Sequence, residues 1–84
     1  TEEQVIHLPL YRVLLHNDDV NNMGHVVNTL QEVFHLSEGD AQTIMLEAHH
    51  TGVALCTVEP LEQAEFHAER LTSAGLTATI EPEE

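Results

Sequence analysis

Between Tyr11 and Phe34 the spacing of apolar residues changes period, from a short continuous run to a helical stripe. Tyr11-Arg-Val-Leu-Leu-His16 is apolar, partly β-branched, and stopped by the turn formers Asn17-Asp18-Asp19, which predicts a strand. Met23, Val26, Val27, Leu30, Val33 and Phe34 then fall at i, i+3, i+4, i+7, i+10 and i+11, one stripe of an amphipathic helix. Asn21 or Asn22 is placed to cap its start. Ser37, with Asp40 three residues on, resembles a capping box and opens a second helix with the stripe Ala41, Ile44, Met45 and Ala48. Gly52 suits its left-handed stop. Val53–Val58 predicts a second strand, and Pro60 opens a third helix with inner face Leu61, Ala64, Ala68 and Leu71, closed by Gly75. Leu76–Ile80 alternates as a last strand.

The order β-α-α-β-α-β implies the α+β class: a single-domain sandwich with three helices covering one face of a three-stranded sheet. Strands two and three, joined through a helix, are expected to run parallel, with the first strand antiparallel between them. Residues 11–81 form the expected core domain. Residues 1–10 read as a partly disordered N-terminal arm, and residues 82–84 as an acidic, solvated tail. The 84 residues fit one domain with a small core. Thr1 in place of Met predicts a start that was processed or trimmed from a longer arm, and no secretory leader is legible.

Fifteen acidic residues face two basic ones, Arg12 and Arg70, for a formal charge of −13. Such a surface repels nucleic acid and anionic membranes, and no apolar run approaches the roughly 18 residues that a membrane span needs. Favoured partners carry positive charge. The single Cys56 excludes an internal disulfide and suggests a reduced interior.

Catalysis finds no support. The chain has no Gly-rich phosphate loop, no nucleophile motif and no zinc-spaced Cys/His set. His49 and His50 are adjacent, so on a helix they project about 100° apart and do not share one ion readily. Neither a metal nor a cofactor is expected. The informative constellation is Asn17-Asp18-Asp19 with Met23, Val26, Met45, Ala48, His49 and Leu76. Each member also has a plain structural explanation: turn chemistry for the first three, and core packing for the apolar positions on helical stripes.

Tyr11-Arg-Val-Leu-Leu-His-Asn-Asp-Asp19 with Met23, then Ile44-Met-Leu-Glu-Ala-His-His-Thr-Gly52 and Ala54-Leu-Cys56, resembles the ClpS family, the N-degron adaptors of bacterial and plastid Clp proteases. The likeness runs from about Tyr11 to Glu81. It implies the fold of the ribosomal stalk protein's C-terminal domain, with the same element order. It also implies that the α-ammonium of a substrate is held by Asn17, His49 and one or both of Asp18 and Asp19. The substrate's first side chain (Leu, Phe, Tyr or Trp) enters a pocket lined by Asn21, Met23, Val26, Met45, Ala48 and Leu76. The physics agrees: an ammonium has three donors and needs three acceptors, and a His ring accepts only while neutral. Two Met residues at the rim suit both branched and aromatic chains.

The pattern departs in places. Family members usually carry Thr-Pro where this chain has Asn21-Asn22, and often Val where it has Ala48, which predicts a wider pocket and an altered ranking of N-terminal residues. Glu62 matches a family acidic position, His67 stands where many relatives carry Lys, and Phe66 points about 140° away from Leu61. Glu62, Phe66 and His67 are therefore the expected docking surface for a Clp AAA+ unfoldase of the ClpA or ClpC type. The expected partners are N-degron-bearing proteins and that unfoldase, and the expected state is a monomer in a bacterial cytosol or a plastid stroma. A rival reading is a ribosomal-stalk-like interaction domain without N-degron binding, which would show a Lys-rich helix face; this chain has no Lys. A small metal-handling domain is a second rival.

Overall fold

A computed structural model describes residues 8–83. The element order is β1 (Leu10–His16), α1 (Met23–Phe34), α2 (Glu38–Thr51), β2 (Val53–Pro60), α3 (Leu61–Ser73) and β3 (Thr77–Pro82). Both neighbours of the central β1 pair with it antiparallel, in the order β2-β1-β3, so β2 and β3 run parallel to each other. The expected class, order and strand directions all hold.

Local chemistry sets most boundaries. Of the two candidate caps, Asn22 starts α1: its Oδ1 accepts from the His25 N–H at 2.7 Å, which leaves Asn21 free for other work. Ser37 caps α2 by accepting from the Asp40 N–H at 3.1 Å. Gly52, at φ 95°, ends α2 in the left-handed region and donates its N–H to Ala48 O at 2.9 Å. Pro60 is the last residue of β2 and the residue before α3, so strand runs directly into helix. His35 caps the end of α1 at φ 58°, a left-handed position that His adopts more readily than most residues with a Cβ but that the helical stripe does not announce.

Strand ends differ from expectation because β1 offers partners beyond the apolar runs. Leu10 pairs with Pro60 and Tyr11 with Pro82, and the Glu83 N–H donates to Leu10 O at 2.9 Å. Hence β1 starts one residue earlier, and β2 and β3 each end two residues later. Of the expected N-terminal arm, residues 1–7 lie outside the described residues, as does Glu84 of the tail.

One face of the sheet is covered. Val13 and Leu15 of β1 are buried with Ala54 of β2 under α2 and α3, and α1 packs on both of those helices. Leu30, Leu71 and Val13 are the largest fully buried side chains. Between Val13 and Leu14 the β1–β2 register shifts, leaving Cys56 as an extra residue on β2. Burial pushes the Cys56 thiol up to about 12, against a hydrogen bond from the Leu15 backbone. The uncovered face carries Arg12, whose guanidinium meets Glu81 at 2.7 Å across β1 and β3. Among the described residues no helix is long and apolar enough to cross a membrane.

Candidate functional site

The stripe of α1 is longer than the core that receives it. Val27, Leu30 and Val33 are buried, whereas Met23, in the first turn, is 46% exposed and Val26 is half-buried. That uncovered turn faces a cavity of about 380 Å³. Met45, Ala48 and His49 of α2 supply a second wall, and Leu76, in the segment leading into β3, a third.

The turn after β1 closes the mouth. The Asn17 N–H donates to Gly52 O at 3.0 Å, docking the turn on the end of α2, one helical turn beyond His49. Asp18 folds the turn back on itself. Its Oδ1 accepts from the backbone N–H of Val20 at 3.0 Å and of Asn21 at 2.9 Å, and the Asn21 amide donates to both carboxylate oxygens at 3.2 Å. The Asn21 backbone N–H, chiefly, holds the Asp18 carboxyl below its ordinary value; desolvation opposes this, and the Val20 N–H, the Asn21 amide and the Thr77 hydroxyl assist. Asp18 is thus committed within the turn. Asp19, beside it, is exposed and makes no such closure.

All ten residues expected at the amine and side-chain sites line this one cavity: Asn17, Asp18, Asp19 and His49 with Asn21, Met23, Val26, Met45, Ala48 and Leu76. Depth divides them. Met45, Ala48 and Leu76 are buried, so the rim holds one methionine, Met23, rather than the two expected; Met45 sits on the inward stripe of α2 and belongs to the floor. Leu15, His16 and Asn22 also line the cavity and were not anticipated. Strand alternation alone sends Leu15 inward, but whether it meets core or cavity depends on where α1 begins.

The three expected docking residues lie on α3 and outside that lining. Glu62 and Phe66 are exposed, and Arg70 sits 5.7 Å from the Phe66 ring centroid. His67 is turned inward: Nδ1 donates to the Glu59 carboxylate at 2.5 Å, and its ring packs 5.0 Å from that of Phe34. Among the other described histidines, His16 bonds to the Thr79 hydroxyl and His25 to Ala74 O. Among the described residues no group of three or more His, Cys, Asp or Glu is placed to hold a metal ion.

The cavity therefore combines acceptors and negative charge at its mouth with an apolar floor. A family model described as "ATP-dependent Clp protease adaptor protein ClpS" matches residues 7–79. The chain belongs to the ClpS family. Among its relatives, the ClpS adapter of Synechococcus sp. (strain CC9902) is 57% identical over 77 residues, covering 90% of this chain and 74% of that one. The chloroplastic adapter CLPS1 of Chlamydomonas reinhardtii is 49% identical over 75 residues, 88% of this chain and 46% of that one. Agrobacterium tumefaciens ClpS2 bound to L-phenylalaninamide superposes with a TM-score of 0.81 at 32% identity, covering 92% of this chain and 100% of that one. The ClpS fold thus extends over nearly all the described residues.

Proposed function

We propose that this ClpS-family chain is a protease adaptor that binds the free N-terminal residue of substrate proteins and delivers them to a Clp unfoldase, with no catalysis of its own. The observation that carries this reading is the meeting of ten residues from the β1–α1 turn, α1, α2 and the α3–β3 connection on one cavity. Its acidic mouth suits an ammonium, and its apolar floor suits a bulky side chain. The Agrobacterium relative was solved with L-phenylalaninamide, a ligand that offers both groups.

Three acceptors satisfy an ammonium. Asn17 contributes its side-chain carbonyl, His49 a ring nitrogen, and Asp19 the charge. Asp18 is the weaker choice for that charge, since its oxygens already accept from the turn. Hydrogen bonds to a charged group are worth about 1.5–3 kcal/mol each, and burying a Leu- or Phe-sized side chain adds about 1.5–3 kcal/mol. After the costs of association, dissociation constants on the order of micromolar follow. An internal Leu lacks the ammonium, and an N-terminal Lys or Glu would bury a charge on Met45, Ala48 and Leu76 without a partner.

For the unfoldase, exposed Glu62 and Phe66 are the proposed contacts on α3, with His67 supporting that helix through Glu59. The proposed unfoldase is of the ClpA or ClpC type, the setting a bacterial cytosol or plastid stroma, and the state monomeric. Relatives from cyanobacteria and an algal chloroplast support that setting.

Fluorescence anisotropy with a Phe- or Leu-initiated peptide, beside its N-acetylated twin, tests the adaptor reading. The free peptide is expected to bind, and acetylation, which removes the charge, to weaken binding by about a hundredfold or more. Asp19→Asn is expected to weaken it about tenfold with the melting temperature unchanged. Equal binding of the two peptides would sink the reading.

A further inference from the structure

Leu76 reaches the cavity from the short connection between α3 and β3, a segment held in place from the opposite wall. Its own N–H donates to Leu71 O at 3.1 Å, and Gly75, at φ 92°, turns the chain. The two carbonyls just before Leu76 are then caught by side chains from the α1 side. His25 Nε2 is 2.8 Å from Ala74 O, and Asn21 Nδ2 donates to Gly75 O at 2.7 Å. A carbonyl oxygen only accepts, so His25 must donate from Nε2, as it does in both the charged ring and one neutral tautomer. Asn21 makes its contact while also holding Asp18, because an amide nitrogen carries two hydrogens.

We infer that His25 is a positioning residue for side-chain selection: together with Asn21 it straps the 74–76 connection to the start of α1 and so sets how far Leu76 stands from Met23 and Val26 across the pocket. The inference deepens the N-degron reading and rests on it. His25 does not itself line the cavity, and its side chain is exposed, so its effect on binding passes through Ala74 and Leu76. With the strap intact the Leu76 wall is pinned. Without it the wall retreats, and larger side chains gain relative to smaller ones. A hydroxyl at position 21 has one hydrogen and serves Asp18 or Gly75 but not both, so in this chain His25 and Asn21 act as a pair.

The test compares His25→Leu, which has no donor, with His25→Gln, which keeps an N–H of similar reach. Affinities for peptides starting with Leu, Phe and Trp are measured with wild type and both variants, alongside their N-acetylated twins and thermal melts. In His25→Leu the Trp-to-Leu affinity ratio is expected to rise by about threefold or more, while acetylated peptides still fail to bind. In His25→Gln the ratio is expected to return toward wild type. A ratio that stays within about twofold in His25→Leu overturns the inference, even where the melting temperature falls, because a purely stabilising contact moves stability without moving selectivity. Amide exchange at Leu76 and Thr77 reads the strap independently of any peptide, and unchanged exchange in His25→Leu also overturns it. Failure of the wild type to prefer free over acetylated peptides rejects the N-degron reading instead, and amide exchange then judges the strap alone.

Discussion

Two neighbouring aspartates, chemically identical, do different work because of where their oxygens point. Asp18 accepts from the Val20 and Asn21 backbone and holds the turn, whereas Asp19 stays exposed at the cavity mouth. Since the Asp18 carboxyl titrates below its ordinary value of 3.8 in the fold, the unfolded chain binds the proton more readily. Its stabilising contribution is therefore complete above about pH 4 and is lost as pH falls through the lower, folded value. Asp18→Asn is expected to lower stability near neutral pH, with the gap to wild type narrowing in acid, as denaturant titrations at the two pH values would show. Ala48 is a second residue whose size matters more than its polarity. It is buried in the floor, so Ala48→Val adds two methyl groups to the space that receives the substrate side chain. Competition among N-terminal peptides should then shift against Trp and Tyr by about 1–3 kcal/mol, and an unchanged ranking would count against the pocket assignment. The distinction between the aspartates is not legible in residue type: Asn17-Asp18-Asp19 reads as a turn, but hydrogen bonds formed only in the fold decide which carboxylate is occupied.

At the level of elements, the helices were the legible part, because their stripes and caps are local. Ser37, Gly52 and Gly75 act where they were expected to, through short-range donors and the left-handed backbone. The start of α1 was narrowed to two asparagines, and the geometry divides their labour: Asn22 caps, and Asn21 links Asp18 to Gly75. Strand ends were less legible, since pairing partners on β1 rather than composition decide how far β2 and β3 extend. The end of α1 carries the least expected feature, His35 at φ 58°. A side chain with a Cβ is strained there by about 1–2 kcal/mol, and a glycine gives back part of that as unfolded-state entropy. His35→Gly is thus expected to stabilise the domain by about 0.5–1 kcal/mol, visible as a higher denaturation midpoint with unchanged slope. A lower midpoint would mean that the ring of His35 contributes more than its backbone costs.

Taken whole, the molecule is a strongly negative body in which an apolar-floored cavity opens beside the β1–α1 turn. A formal charge of −13 on 84 residues sets up self-repulsion that dissolved salt screens. Raising ionic strength from about 10 mM to about 150 mM should raise the melting temperature by a few degrees, since the screening length falls from roughly 30 Å to 8 Å. The same screening should slow the association of an N-terminal peptide carrying several positive charges. A melting temperature indifferent to salt would show that the acids are too well separated to repel.

Much of this protein was set before it folded: the element order, the helix faces, the caps and the acidic character all follow from neighbours a few residues apart in the chain. The family likeness marked ten of the thirteen residues that line the pocket, yet composition alone left Met23, Val26, Met45 and Ala48 indistinguishable from ordinary core. Folding separated them, by leaving the first turn of α1 uncovered opposite Leu76, more than fifty positions away. It also turned His67 inward onto Glu59 and tied His25 and Asn21 to the 74–76 connection. Contacts of that reach depend on which surfaces are left unfilled once the sheet and helices have packed, and a local pattern carries no record of such a remainder.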